Sequence, residues 1–181
     1  MSPPVARRLL HAATGSVLLL VPLTSWNVVR AVLVAAAILA VGVEVARLRS
    51  KRFGALLAGA VPVFRARETA HPSGAMWLAL GYALASLVQP PAPAAGLLVG
   101  ALADPAAAWA GTTWGRGTGK TLVGSAAHFA VAAAVLYGVG CSGTAIVVGA
   151  ALATVLERWP LGLDDNLVVA PITALTAAFL G

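Results

Sequence analysis

Apolar runs of helical length alternate with short charged gaps along the whole chain. The runs lie at 9–25, 31–46, 53–63, 75–89, 94–112, 122–139, 143–157 and 167–180. The charged gaps hold Arg47 to Arg52, Arg65 to Glu68, Arg116 to Lys120 and Glu157 to Asp165. In lipid every backbone polar group must be satisfied within the protein, so a spanning segment is a helix or part of a closed barrel. These runs are too long and too rich in Ala and Leu for the alternating short strands of a barrel. The pattern predicts an all-α, polytopic membrane bundle, a single domain over residues 1–181. The run at 53–63 has about half of the ~20 residues that a crossing needs and reads as re-entrant or interfacial. Seven crossings remain, several of them short enough to require a thin bilayer or polar extensions.

Composition strengthens this picture. Hydrophobic residues make up 60% of the chain and charged ones 10%, with a mean hydropathy of +0.90. A soluble domain of this size could not bury so much apolar surface. The net charge of +6 and pI near 10.8 suggest nucleic acid at first sight. The bases flank apolar runs instead of forming one patch, however, which is the positive-inside pattern of a protein in a lipid bilayer, with no nucleic-acid partner.

With Arg7 and Arg8 in the cytoplasm, Arg47, Arg49, Lys51, Arg52, Arg65, Arg67, Arg116, Lys120 and Arg158 fall on the same side, and only Arg30 falls outside. The expected topology has the N-terminus inside, the C-terminus outside, and cytoplasmic loops at 47–74, 113–121 and 158–166. The outer turns, Pro90-Pro91-Ala92-Pro93 and Cys141-Ser142-Gly143, are neutral. Cys141 stands alone, so no internal disulfide is expected. Arg7-Arg8 before an apolar run mimics a signal peptide, but no small-residue cleavage site follows, and an uncleaved first span is the better reading.

All six acids sit in or near the inner gaps. Asp104 is the most demanding, because it lies inside the run 94–112 with Pro105 directly after it. A carboxylate at that depth is costly unless it is paired, metal-bound or in a wet cavity. Gly115-Arg116-Gly117-Thr118-Gly119-Lys120-Thr121 invites a phosphate-loop reading, but a Walker loop needs Gly where Trp114 stands, after a strand and not an apolar helix. The turn could still hold phosphate through Arg116, Lys120 and the amides opening the next helix, or it could be a plain positive-inside loop. Asp164-Asp165-Asn166 suits Mg²⁺ at the membrane surface, or the N-cap of the last helix, or one role for each Asp. Glu44 with Arg47, Glu68 with Arg65 and Glu157 with Arg158 are each explicable as local pairs. Their recurrence at one depth favours a shared polar cluster. His11, His71 and His128 lack metal-site spacing. His11 could meet phosphate, His71 reads as loop, and His128 as a polar contact inside the bundle.

The order of these motifs is distinctive: Arg-Arg-x-x-His at 7–11, Glu-x-x-Arg at 44–47, Arg-x-x-Glu at 65–68, and Pro72-Ser73-Gly74-Ala75. Then follow Ala103-Asp104-Pro105-Ala106-Ala107-Ala108, Gly115-Arg116, Gly119-Lys120-Thr121-Leu122-Val123-Gly124-Ser125, and Glu157 with Asp164-Asp165-Asn166. Over nearly the whole chain this set resembles the CTP-dependent polyprenol kinases: dolichol kinase, phytol kinase and the CTP-using diacylglycerol kinase. The chain departs from the family pattern at Ala103, where Gly is usual, and at Val123, where Glu is usual.

The resemblance implies a membrane lipid kinase that transfers the γ-phosphoryl group of CTP to an isoprenoid alcohol or diacylglycerol, with Mg²⁺ as cofactor. It implies catalytic and metal-binding roles for Asp104, Asp164 and Asp165, and phosphate binding by Arg116, Gly117, Gly119, Lys120 and Thr121. The supporting polar cluster would be His11, Glu44, Arg47, Arg65, Glu68, Glu157 and Asn166. The alternatives are a CTP-using cytidylyltransferase acting on a lipid phosphate, and a small transporter with Asp104 as its coupling carboxylate. The nearly bare outer half weighs against transport. Oligomeric state is left open.

Overall fold

The computed structural model describes residues 3–60, 64, 66–117, 119–159 and 162–181. Among the described residues there are eight α-helices and no strand: α1 (Pro3–Ala13), α2 (Trp26–Arg49), α3 (Lys51–Ala60), α4 (Gly74–Ala85), α5 (Ala92–Trp114), α6 (Leu122–Gly138), α7 (Gly143–Arg158) and α8 (Asp165–Leu180). Short 3-10 segments, Thr14–Leu20 and Ala66–Thr69, follow α1 and precede α4. The helix starts are written in local chemistry. Ser73, Thr121, Ser142 and Asp164 each precede a helix and accept a backbone N–H from its first turn, satisfying a donor the helix itself cannot.

Helix α5 is the hub of the fold. It packs along α6 and α8, and α7 closes a four-helix ring against those two. Outside the ring, α4 lies on α8, α2 on α4, and α3 on α2, while α1 and its 3-10 extension lie on α5. The ring core is built mainly of small side chains, among them Ala95, Val99 and Ala103 of α5, Ala132 of α6, Ala150 and Ala153 of α7, and Val169 and Ala177 of α8. Lipid tails are as apolar as Leu, so helices in a bilayer associate through close packing, and small residues permit it. At Gly81 the approach is so close that an added Cβ would overlap the Asn166 carbonyl oxygen, and at Gly96 it would overlap that of Ala170. These two contacts seat α4 and α5 on α8.

Two helices, α2 and α5, are long and apolar enough to cross a membrane, while α4, α6 and α8 are apolar but shorter. Large side chains such as Leu19, Ile38, Leu56, Leu122 and Phe179 remain exposed, an outer surface that suits lipid better than water.

The run at 9–25 differs from its expected form as one span. It divides into α1, which carries Arg7 and Arg8 within the helix, and the 3-10 segment after it. The division falls at Thr14-Gly15-Ser16, where the Thr14 hydroxyl donates back to the His11 carbonyl at 2.6 Å and Gly15 lies against Ala101. Such back-bonding and a glycine both weaken a continuous α-helix. The segment at 53–63 is the ten-residue α3 up to Ala60, with Phe53 and Leu56 exposed, and its last residues lie outside the described set. Arg30, the one base placed on the outer side, donates through Nε to the Ser86 carbonyl at 2.8 Å and so neutralises the C-terminal end of α4.

Candidate functional site

A cavity of about 1150 Å³ separates α1 and α5 from α2 and α4, and the start of α8 closes one end. Polar side chains gather at that end, and an apolar wall from α2 continues away from it. His11, Glu44, Glu68, Asp104, Gly119, Lys120, Thr121, Glu157, Asp164, Asp165 and Asn166 all line it. Residues from five α-helices, the second 3-10 segment and two loops thus meet at one cavity.

Asp104 stands at the inner wall, on the turn of α5 that Pro105 interrupts. Its Oδ1 is fully buried and has no hydrogen-bond partner, and the same holds for Nε2 of His128, 3.5 Å away on α6. That distance is too long for a hydrogen bond. The other ring nitrogen of His128 meets the Thr154 hydroxyl at 3.1 Å, which fixes the orientation of the imidazole. The remainder of the Asp104 carboxyl reaches the cavity, with the side chain 19% exposed. The two buried atoms face each other as a long contact between complementary groups, so the part of the carboxyl left for a ligand is the part on the cavity side.

Facing it, Lys120 joins the glycine-rich turn to the far helices. Its ammonium lies 2.6 Å from Oδ2 of Asp165 and 3.0 Å from Oε1 of Glu157, and also donates to the Glu157 carbonyl. Burial disfavours its charged form, but the Asp165 and Glu157 carboxylates outweigh that and hold its pKa above the ordinary lysine value. Gly119 before it has φ +90°, a left-handed conformation that glycine adopts without strain and that turns the chain into the cavity. Thr121 then caps α6, accepting from the Gly124 amide at 3.0 Å.

Asp164 caps α8 through Oδ1, which accepts from the Asn166 amide at 3.1 Å and its side-chain nitrogen at 2.7 Å. Asp165 also accepts from Asn166, through Oδ1, leaving Oδ2 to Lys120. The two neighbouring acids therefore divide the tasks of cap and ion pair.

Glu44 and Arg47 form a brace. Both Glu44 oxygens are engaged, Oε1 by Arg47 Nη2 at 2.5 Å and the Ser73 amide at 2.8 Å, Oε2 by Arg47 Nε at 3.3 Å and the Ser73 hydroxyl at 3.1 Å. Arg47 also donates to the His71 carbonyl and lies over the Phe64 ring. Arg47 does not line the cavity; it ties the inner end of α2 to the start of α4, which positions Glu44 at the rim. Glu68 is buried and accepts from the Gly74 amide at 3.3 Å on the same helix start.

Two of the expected phosphate-binding residues stand apart. Arg116 and Gly117 are exposed on the outer part of the turn and do not line the cavity. Arg65 lies outside the described residues. In their place the fold supplies residues that the sequence reading did not assign to a site. Arg7 and Arg8 line the cavity mouth, with Arg8 donating to Thr112 of α5 at 3.1 Å. Tyr82 and Thr14 line its wall. The i, i+3 and i+4 spacing of Arg7, Arg8 and His11 was a usable signal, since it places cations and imidazole on one helix face. His11 indeed turns inward, donating to the Gly100 carbonyl at 3.0 Å.

Among the described residues no group of three or more His, Cys, Asp or Glu is close enough to form a metal cage. Mg²⁺ needs less than a cage, taking one or two carboxylates and completing its shell with water and substrate phosphates. Asp104, whose carboxyl reaches the cavity on one side, and Asp165 on the same cavity are two such carboxylates. No family model, curated protein or solved structure matches the chain.

Proposed function

We propose that the protein is a membrane-embedded lipid kinase of the CTP-dependent polyprenol kinase type, phosphorylating the hydroxyl of a long-chain alcohol. The observation that carries this reading is the two-sided cavity. An apolar wall on the membrane-length α2 leads to a basin where Asp104, Lys120, Asp164 and Asp165 converge with the cations of α1. A water-soluble phosphate donor and a lipid acceptor need such a place to meet.

In the proposed reaction the acceptor hydroxyl lies beside Asp104. Its oxygen forms the new bond to the γ-phosphorus of CTP as the bond to the bridging β–γ oxygen breaks. CDP leaves with that electron pair, and the hydroxyl proton passes to the Asp104 carboxylate. Phosphoryl transfer asks little of the protein beyond positioning and charge neutralisation. Lys120, Arg7 and Arg8 supply positive charge around the basin, and the Glu44–Arg47–Ser73 brace keeps its rim in register. Asp104 and Asp165 are the carboxylates that would hold Mg²⁺ arriving with the nucleotide, and it would supply further neutralisation of the phosphates. In this reading the basin faces the cytoplasm and the chain makes the seven crossings expected from its charge pattern.

Purified protein in nanodiscs, given γ-labelled CTP and a polyprenol, a phytol-type alcohol or diacylglycerol, provides the test. Label on the lipid with release of CDP is the expected result. Pyrophosphate release with a cytidylylated lipid phosphate would replace the kinase reading with the cytidylyltransferase one. Absence of any nucleotide-dependent lipid product would remove both.

A further inference from the structure

Helix α2 presents one continuous apolar stripe to the cavity: Val32, Leu33, Ala36, Leu39, Ala40 and Val43, ending at Glu44. Steps of three and four residues keep these side chains on one helix face. The thirteen residues from Val32 to Glu44 are separated by twelve helical steps, about 18 Å at ~1.5 Å per step. One leaflet of a ~30 Å hydrocarbon core is about 15 Å deep. The stripe thus runs for about one leaflet and ends where the polar basin begins.

The far side of this trough is formed by Leu10 and Val17 of the α1 arm. That arm packs on α5 and α2 packs on α4; the arm meets α2 through its 3-10 part, where Val17, Leu18 and Val21 pack on the cluster that holds Val29 and Leu33. Between α1 itself and α2 no packing of that extent is found among the described residues, and there the trough is open sideways. Leu39 lines the cavity and is still 69% exposed, and Leu10 is 55% exposed. Only 22% of the apolar window of α2 is buried, so the helix that forms the wall is also one turned to the surroundings.

The dimensions select the occupant. The cavity of about 1150 Å³ includes the polar basin, and its apolar part runs along α2 for about the depth of one leaflet. A hydrocarbon chain fits that length, and the small Ala36 and Ala40 stand along it between the larger Leu33 and Leu39. We propose that the α1–α2 cleft binds a single hydrocarbon chain of about one leaflet in length, which slides in laterally from the bilayer and delivers its hydroxyl head towards Asp104. Ala36 and Ala40 determine which chains fit. The identity of the head group rests on the lipid-kinase reading; the chain site rests on the cleft.

The experiment uses the full chain in phosphatidylcholine nanodiscs with a long-chain isoprenoid alcohol carrying a diazirine at its far end. Photolabelling should be saturable, competed by the unlabelled alcohol, and concentrated on Val17 and on Val32–Ala36, at the end of the trough away from Glu44. Val147 on α7, 61% exposed, reports bulk lipid contact and should show only non-saturable label. Ala36→Trp should reduce the saturable label about tenfold and the milder Ala36→Leu severalfold, because both fill the trough at a position that is exposed and so leave the packed core intact. Equal labelling at Val147 and the cleft, or unchanged labelling in both variants, would overturn the site. Competition by diacylglycerol as strong as by the single-chain alcohol would overturn its single-chain character. Saturable cleft labelling without phosphoryl transfer from CTP would leave the chain site standing and remove the kinase reading. Phosphoryl transfer with an unchanged alcohol KM in Ala36→Trp would do the reverse.

Discussion

Replacing Asp104 by Asn separates a chemical carboxylate from a structural one. Asparagine keeps the shape and removes the charge. The structure assigns Asp104 Oδ1 no hydrogen bond, and its nearest polar neighbour, His128 Nε2, is 3.5 Å away, so the exchange breaks no bond of normal length. Folding stability should therefore change by less than about 1 kcal/mol, within the range of substitutions that disturb no packing or bonded network. Turnover should behave differently. A positioned base contributes about 10²- to 10⁴-fold, which is roughly 2.7–5.5 kcal/mol of barrier at ~1.36 kcal/mol per tenfold. The assay is CTP-dependent lipid phosphorylation per folded molecule, with thermal unfolding in detergent measured on the same preparation. A variant that turns over within about threefold of the parent while unfolding at a lower temperature would refute the reasoning. Asp104 would then be half of a structural pair with His128.

Three other outcomes follow from the geometry. Glu44→Ala leaves the buried Arg47 guanidinium, among the described residues, with the His71 carbonyl as its hydrogen-bond acceptor and removes the acceptor of the Ser73 amide; denaturant unfolding should register a loss of about 3–5 kcal/mol, the cost of breaking a buried ion pair from one side. Gly81→Ala drives a methyl group into the Asn166 backbone, and should destabilise by about 1–3 kcal/mol and weaken nucleotide binding together, since Asn166 holds both site aspartates. Lys120→Ala should raise the Kd for CTP about tenfold in calorimetric titration, with little change for the alcohol, which carries no phosphate. The raised pKa of Lys120 sets the accompanying pH behaviour: the clamp is fully present below the ordinary lysine value of 10.5 and is lost as pH rises through the raised one, so its contribution should be flat from about pH 6.5 to 9.5.

Hydropathy alone located most of the helices. The apolar runs at 31–46, 94–112, 122–139, 143–157 and 167–180 lie within or within a residue of α2, α5, α6, α7 and α8, and the cap expected in Asp164-Asp165-Asn166 is made by Asp164. Both are local properties, readable from neighbours in the chain, because apolar side chains and unsatisfied amides are penalised wherever the helix happens to pack. The gathering of acids and bases at one depth was legible for the same reason, since the cost of burying charge holds them near helix ends.

Which side chains face one another was decided only by the tertiary structure. Lys120 reads as an unattached cation in its glycine-rich turn, yet it meets Asp165, forty-five residues on, because α8 begins beside the start of α6. Arg47, expected in the supporting cluster, is drawn behind the wall by Glu44 and the His71 carbonyl, and Arg116, expected at phosphate, is left outside the cavity. His128 gains its meaning from Asp104, which sits on a different helix. Hydropathy is nearly unchanged when a helix turns about its axis, whereas side-chain partnership changes entirely. That rotation is set by close contacts between distant segments, such as Gly81 against Asn166 and Gly96 against Ala170.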